Sequence, residues 1–177
     1  RDWSSDVCSS DLTATEGASV LGGAWPVVVY SHGWTGFRTV APDQAEAIAS
    51  HGFIVLAPDH THGAVATTLA DGTTVTYDPN ALPEFEDVGE TAYVAATELL
   101  VETYAGDIGL VLDALAEGSA PPELAAASDL ESVGVFGHST GGGAAARFCL
   151  EDTRCDALVG LDAWVEPIPE ELRAKRS

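Results

Sequence analysis

The sequence predicts an α/β domain built on a mostly parallel sheet, with helices on both faces, and three observations carry that expectation. Apolar runs at Pro26 to Ser31, Phe53 to Ala57, Val133 to Phe136 and Ala157 to Leu161 are each short and bounded by turn residues. They are apolar at successive positions, the pattern of strands buried on both faces of a parallel sheet. Segments of helical spacing separate them, and strands alternating with helices join by right-handed parallel crossovers.

The elements follow in order. Pro26-Val27-Val28-Val29-Tyr30-Ser31 is the first strand and stops at His32-Gly33. From Val40 to Ser50 the apolar residues Val40, Ala45, Ile48 and Ala49 fall at helical spacing, with Pro42 and Asp43 as start signals and His51-Gly52 as the stop. Phe53 to Ala57 is a second strand. Pro58 to Pro83, rich in Thr, Gly, Asp and Pro, is a long excursion with a small hairpin expected around Asp71-Gly72. Glu86 to Ala116 reads as helix, with a break expected near Gly106 and Asp107 capping a second helix striped by Ile108, Val111, Leu112 and Leu115. Gly118 to Ala127 reads as a proline-containing linker. A strand, a helix to Leu150 and a last buried strand to Leu161 complete the pattern.

Residues 1–12 show no periodicity and read as a non-native leader, residues 13–172 as a partial domain, and residues 173–177 as a truncated tail whose basic composition breaks with what precedes it. The start of the chain is therefore expected to be cut. No stretch approaches the roughly 20 apolar residues of a membrane-spanning helix. The formal charge is −21, from 28 acidic and 7 basic residues. A surface of that sign repels phosphate backbones and anionic lipid, which argues against nucleic-acid binding and against polyanionic substrates. Cys149 and Cys155 lie on either side of an acidic turn. They suit either a disulfide, which implies an oxidising, secreted or periplasmic setting, or two buried thiols.

The chemistry is concentrated at Val133-Gly134-Val135-Phe136-Gly137-His138-Ser139-Thr140-Gly141-Gly142-Gly143, a strand running through G-x-S-x-G into an alanine-rich helix start. This is the build of a nucleophile elbow, in which a sharp strand-to-helix turn lifts a serine hydroxyl clear of the sheet. Ser139 is then the candidate nucleophile, at the positive end of the following helix. A serine needs a base, an acid to orient the base, and donors for the oxyanion. Asp162, at the end of the strand after the elbow helix, is the candidate acid, with Asp59 as its rival. The backbone N–H groups of Thr140 and Trp34 are the candidate oxyanion donors, Gly33 letting the chain turn the second inward. Trp34 and Trp164 are candidate substrate-binding walls. All five histidines, His32, His51, His60, His62 and His138, precede Asp162. His138 reads as packing, and His60 with His62 is a weak metal pair, so no metal or other cofactor is expected.

Four segments carry a resemblance: Tyr30-Ser31-His32-Gly33-Trp34-Thr35-Gly36-Phe37-Arg38-Thr39, Ala49-Ser50-His51-Gly52-Phe53-Ile54-Val55, Gly137-His138-Ser139-Thr140-Gly141-Gly142 and Gly160-Leu161-Asp162-Ala163-Trp164. The chain resembles the α/β-hydrolase superfamily and, within it, the plasma-type (group VII) platelet-activating-factor acetylhydrolase family, from about Trp25 to Pro169. That resemblance implies an α/β-hydrolase fold, Ser139 as nucleophile, Asp162 as acid, and the amides of Trp34 and Thr140 as oxyanion donors. It also implies opening strands before Trp25, and last strands with a catalytic histidine after Glu170, so the domain is expected to be incomplete at both ends and the chain as it stands to lack its base and to be inactive. The function expected of the parent is a serine carboxylic-ester hydrolase acting on a small-molecule or lipid ester without a cofactor. A lipase, cutinase-like or polyester hydrolase shares the build, and a non-catalytic binding protein on the same fold is the alternative of another class.

Overall fold

A computed structural model describes residues 14–174. The expectations for residues 1–12 and for the end of the 173–177 tail fall outside that range. Strand β1 (Trp25–Ser31) is followed by helix α1 (Pro42–Ser50), β2 (Ile54–Leu56), and the short strands β3 (Ala66–Thr68) and β4 (Thr74–Thr76). A 3₁₀ turn at Pro79–Ala81 leads to α2 (Phe85–Val88), α3 (Glu90–Ala116), α4 (Pro122–Ala127), β5 (Ser128–His138), α5 (Thr140–Glu151), β6 (Cys155–Leu161) and α6 (Glu170–Arg173).

The four long-range strands form one parallel sheet in the order β2-β1-β5-β6, as the apolar runs predict. β3 and β4 pair antiparallel as the expected hairpin. Because side chains alternate across a strand, Val27, Val29, Val133 and Val135 all point to one face. There they meet Leu100, Tyr104, Ile108 and Leu112 of α3 and Ala144, Ala145 and Phe148 of α5, which is the buried core. Among the described residues the other face is bordered by α1 and is otherwise open, leaving an apolar groove of about 650 Å³ lined by Val28, Ile48, Phe53, Phe136, Val159 and Leu161 among others. β6 therefore departs from the expectation of a strand buried on both faces. It is the sheet edge here, and Val159 is 55% exposed.

Two further boundaries differ from the sequence reading. The long helix does not break near Gly106. Its buried stripe of Leu100, Val101, Tyr104, Ala105, Ile108, Leu112 and Leu115 runs without a gap through that point, and burial of this extent outweighs the roughly 1 kcal/mol that a glycine costs in a helix. The break falls instead at Gly89, whose φ of 74° is open to glycine and disfavoured for other residues. The Gly118 to Ala127 linker contains α4, with Pro122 at its first turn. Cys149 and Cys155 are joined as a disulfide, tying the end of α5 to the start of β6. Among the described residues, no helix is long and apolar enough to cross a membrane.

Candidate active site

β5 ends at His138 and α5 begins at Thr140, so Ser139 alone makes the turn, at φ 54° and ψ −121°. A non-glycine residue in that region costs on the order of 1–3 kcal/mol and persists only when its surroundings hold it. Three backbone bonds do so. The Ser139 N–H donates to the Leu161 carbonyl (3.1 Å), and the Ser139 carbonyl accepts from the Gly143 and Trp164 amides (3.0 Å each). Gly137 and Gly141 are required by close approach. A Cβ on Gly137 would run into the Gly141 carbonyl, and one on Gly141 into the carbonyls of Ser31 and His32. The Ser139 hydroxyl is not used to cap α5, so it is not tied to the helix it precedes.

β6 lies beside β5 in parallel register, with His138 opposite Leu161. The next residue on each strand is Ser139 and Asp162, so the two leave adjacent strand ends side by side, about 5 Å apart in the hydrogen-bonding direction. Asp162 is itself at φ 48° and is exposed. The amide after it but one, Trp164 N–H, is the group bonded to the Ser139 carbonyl, so the strand-end loop is pinned to the elbow. At the other side, β1 delivers His32-Gly33-Trp34 to the same edge, and a Cβ on Gly33 would stand 3.3 Å from the Ser139 Cβ. Among the described residues, neither the Trp34 amide nor the Thr140 amide has an assigned acceptor.

A cleft of about 460 Å³ gathers Trp34, Ser139, Thr140, Asp162 and Trp164 along one wall system. The five residues singled out from the sequence are thus brought together. Leu82, Tyr93 and Glu166 also line the cleft and were not foreseen. Leu82 and Tyr93 come from the excursion and the first turn of α3, where no motif marks them. The residues lining the larger apolar groove on the open sheet face include neither a serine nor a carboxylate.

The remaining sequence candidates are placed differently. Asp59, the rival acid, accepts from the Arg38 amide (2.6 Å), the Arg38 Nε (3.0 Å) and the Thr67 hydroxyl (2.7 Å), and so clamps the loop after β1 to the hairpin. His138 is exposed instead of packed, with its ring edge near Gly33. His62 faces the Thr76 carbonyl (3.3 Å). His60 is fully buried, with Nε2 2.8 Å from the Ser31 hydroxyl and Nδ1 2.9 Å from Asp107 Oδ2. Asp107 is therefore no helix cap but the acceptor for His60. Among the described residues, no group of three or more potential ligands could hold a metal ion. Burial pushes His32 below the ordinary imidazole range. Its bond to the Gly33 carbonyl opposes the shift, the nearby His60 adds to it, and the charges of Asp59 and Asp107 oppose it.

Three comparisons bear on this geometry. The family model described as platelet-activating factor acetylhydrolase, isoform II, matches residues 4–86. Platelet-activating factor acetylhydrolase from Bos taurus is 26% identical over 172 residues, covering 87% of this chain and 38% of that protein. The Cavia porcellus protein of the same name is 26% identical over 170 residues, again 87% of this chain and 38% of its own length. Among solved structures, a ferulic acid esterase from Streptomyces cinnamoneus aligns with a TM-score of 0.62 at 29% identity, covering 79% of this chain and 37% of that one. The chain thus spans well under half the length of the curated relatives that it matches. It has an α/β-hydrolase-type fold, it is similar to the platelet-activating factor acetylhydrolases, and its relatives and this structural neighbour are ester hydrolases by name.

Proposed function

We propose that the protein this chain belongs to is a serine carboxylic-ester hydrolase of the platelet-activating-factor-acetylhydrolase-like type. The observation that carries the reading is the strained Ser139 at the head of α5, in one cleft with Asp162 and with two amides that lack acceptors. In this proposal the Ser139 hydroxyl attacks the acyl carbon of the ester. Its proton passes to an imidazole that follows Asp162 in the Ser, Asp, His order of this fold, and Asp162 orients that ring. The oxygen of the tetrahedral intermediate sits between the Trp34 and Thr140 amides, each such donor contributing about 3–4 kcal/mol to the barrier. Collapse expels the alcohol and leaves an acyl group on Ser139, which water removes by the same steps in reverse.

The walls of the cleft argue for the substrate class. Trp34, Tyr93 and Trp164 offer apolar faces, and Asp162 and Glu166 add negative charge. Together with the net charge of −21 they favour a neutral small-molecule or lipid ester over a polyanionic one. The test is hydrolysis of p-nitrophenyl esters of increasing acyl length by the enzyme and by its Ser139→Ala and Asp162→Asn variants. Loss of turnover in both variants is expected. Turnover that survives Ser139→Ala would assign the hydrolysis to a different nucleophile, and absence of turnover in the unmutated protein would assign the fold to binding.

A further inference from the structure

Ser31, His60 and Asp107 form a second hydrogen-bonded Ser–His–Asp line, and it cannot act on substrate because Ser31 and His60 are 0% exposed. Its geometry leads elsewhere. Asp107 Oδ2 accepts from His60 Nδ1, and the His60 ring lies flat on Tyr104, centroids 3.7 Å apart at 16°. Both Asp107 and Tyr104 belong to α3, so the long helix fixes the ring in position and orientation. The backbone N–H of His60 then donates to His32 Nε2 (3.1 Å). That bond leaves the lone pair of His32 on Nε2 and its proton on Nδ1, which donates to the Gly33 carbonyl (2.8 Å).

The Gly33 carbonyl belongs to the same peptide unit as the Trp34 N–H. In a trans peptide the two point in opposite directions. Drawing the carbonyl toward His32, with a second bond from the Gly36 amide at 2.9 Å, therefore turns the Trp34 N–H away from the His32 ring. The loop cannot rotate back easily, because the Thr35 amide donates to the Gly63 carbonyl (2.8 Å) and the Val65 amide to the Gly36 carbonyl (3.0 Å).

We propose that Asp107, His60 and His32 are positioning residues that set the Trp34 amide as an oxyanion donor, an inference that rests on the proposed roles of Ser139 and Trp34. Neither His60 nor Asp107 touches substrate. They act through one peptide plane, and the reaction should sense them only where negative charge develops on the acyl oxygen.

The experiment compares Asp107→Leu, which removes the acceptor, with Asp107→Asn, whose amide oxygen can still accept from His60 Nδ1. Each variant, made in the whole protein that this chain belongs to, is assayed on p-nitrophenyl acetate and on its thiono analogue, whose sulfur is a poor partner for an oxyanion donor. Rates are expressed per titrated active site, so that unfolded protein does not count. Asp107→Leu is expected to lower kcat at least ~10-fold, a partial loss of the ~100- to 1,000-fold worth of one donor. KM should stay within about 2-fold, since the effect lies in the transition state, and the oxygen-to-sulfur rate ratio should fall with kcat. Asp107→Asn should fall less on both. If Asp107→Leu does not fold, Asp107→Ala replaces it, because the Asp107 side chain is 26% exposed and water can then reach His60. A folded variant with the parent's kcat and rate ratio overturns the relay, as does a fall in kcat with an unchanged ratio. Activity surviving Ser139→Ala would instead overturn the underlying reading of the site.

Discussion

Adding one methyl group at Gly141 should separate the geometry of the elbow from its stability. In Gly141→Ala the new Cβ would overlap the backbone carbonyls of Ser31 and His32, which belong to the strand end and cannot rotate aside. Regaining a C···O separation of about 3.3 Å requires the start of α5 to retreat by roughly 1 Å. Overpacking of this kind costs about 1–3 kcal/mol, offset by up to about 1 kcal/mol from the better helix propensity of alanine. Net destabilisation is therefore modest. Turnover should suffer far more, because the retreat carries Ser139 and the Thr140 amide with it, and a 1 Å misplacement of reacting groups costs about 100-fold. Gly106→Ala is the control, since a Cβ there meets nothing within 4 Å on the same protein. It should gain about 1 kcal/mol and leave turnover unchanged. Ester hydrolysis beside thermal melts reads both. A Gly141→Ala protein with the parent's turnover would refute the argument that this glycine exists for close approach of the elbow to β1.

Cleaving the Cys149–Cys155 bridge by paired serine substitution should cost about 2 kcal/mol, the entropy of so small a loop, and lower Tm by roughly 4–8 °C in melts with and without reductant. Asp59→Ala frees the Arg38 amide and the Thr67 hydroxyl together and should cost about 2 kcal/mol, with faster amide exchange confined to the loop after β1 and to β3. His32 titrates near 6.5 when unfolded and lower when folded, so between those values the unfolded state holds more protons and stability must fall as pH drops below about 6.5. His60, Asp59 and Asp107 face that ring, and denaturant titrations of the parent and of His32→Gln should show the slope shrinking in the variant. An unchanged slope would assign it to other groups.

The strands and the elbow were legible because their signals are local. Val27-Val28-Val29 has no alternation to mistake, and Gly137 and Gly141 bracket a serine at the one spacing the turn allows. The adjacency of Asp162 followed from topology, since a strand that leaves the elbow helix pairs most simply with the strand before it. What stayed hidden was set by tertiary contact. Asp107 looks like a helix cap because Gly106 precedes it, and only the packing of α3 on the loop after β2 shows that its carboxylate belongs to His60. The α3 stripe that bridges Gly106 is likewise decided by what lies opposite it. β6 reads as fully buried because its residues are apolar, while its outer face is open in the described residues.

Whether Ser139 is the nucleophile is read from the site at which a fluorophosphonate probe bonds to the protein, located by peptide mass spectrometry. A single phosphonylated peptide containing Ser139 is expected, lost in Ser139→Ala and labelled more slowly in Gly141→Ala. Labelling at Ser31 or any other hydroxyl, or undiminished labelling of Ser139→Ala, would contradict that role.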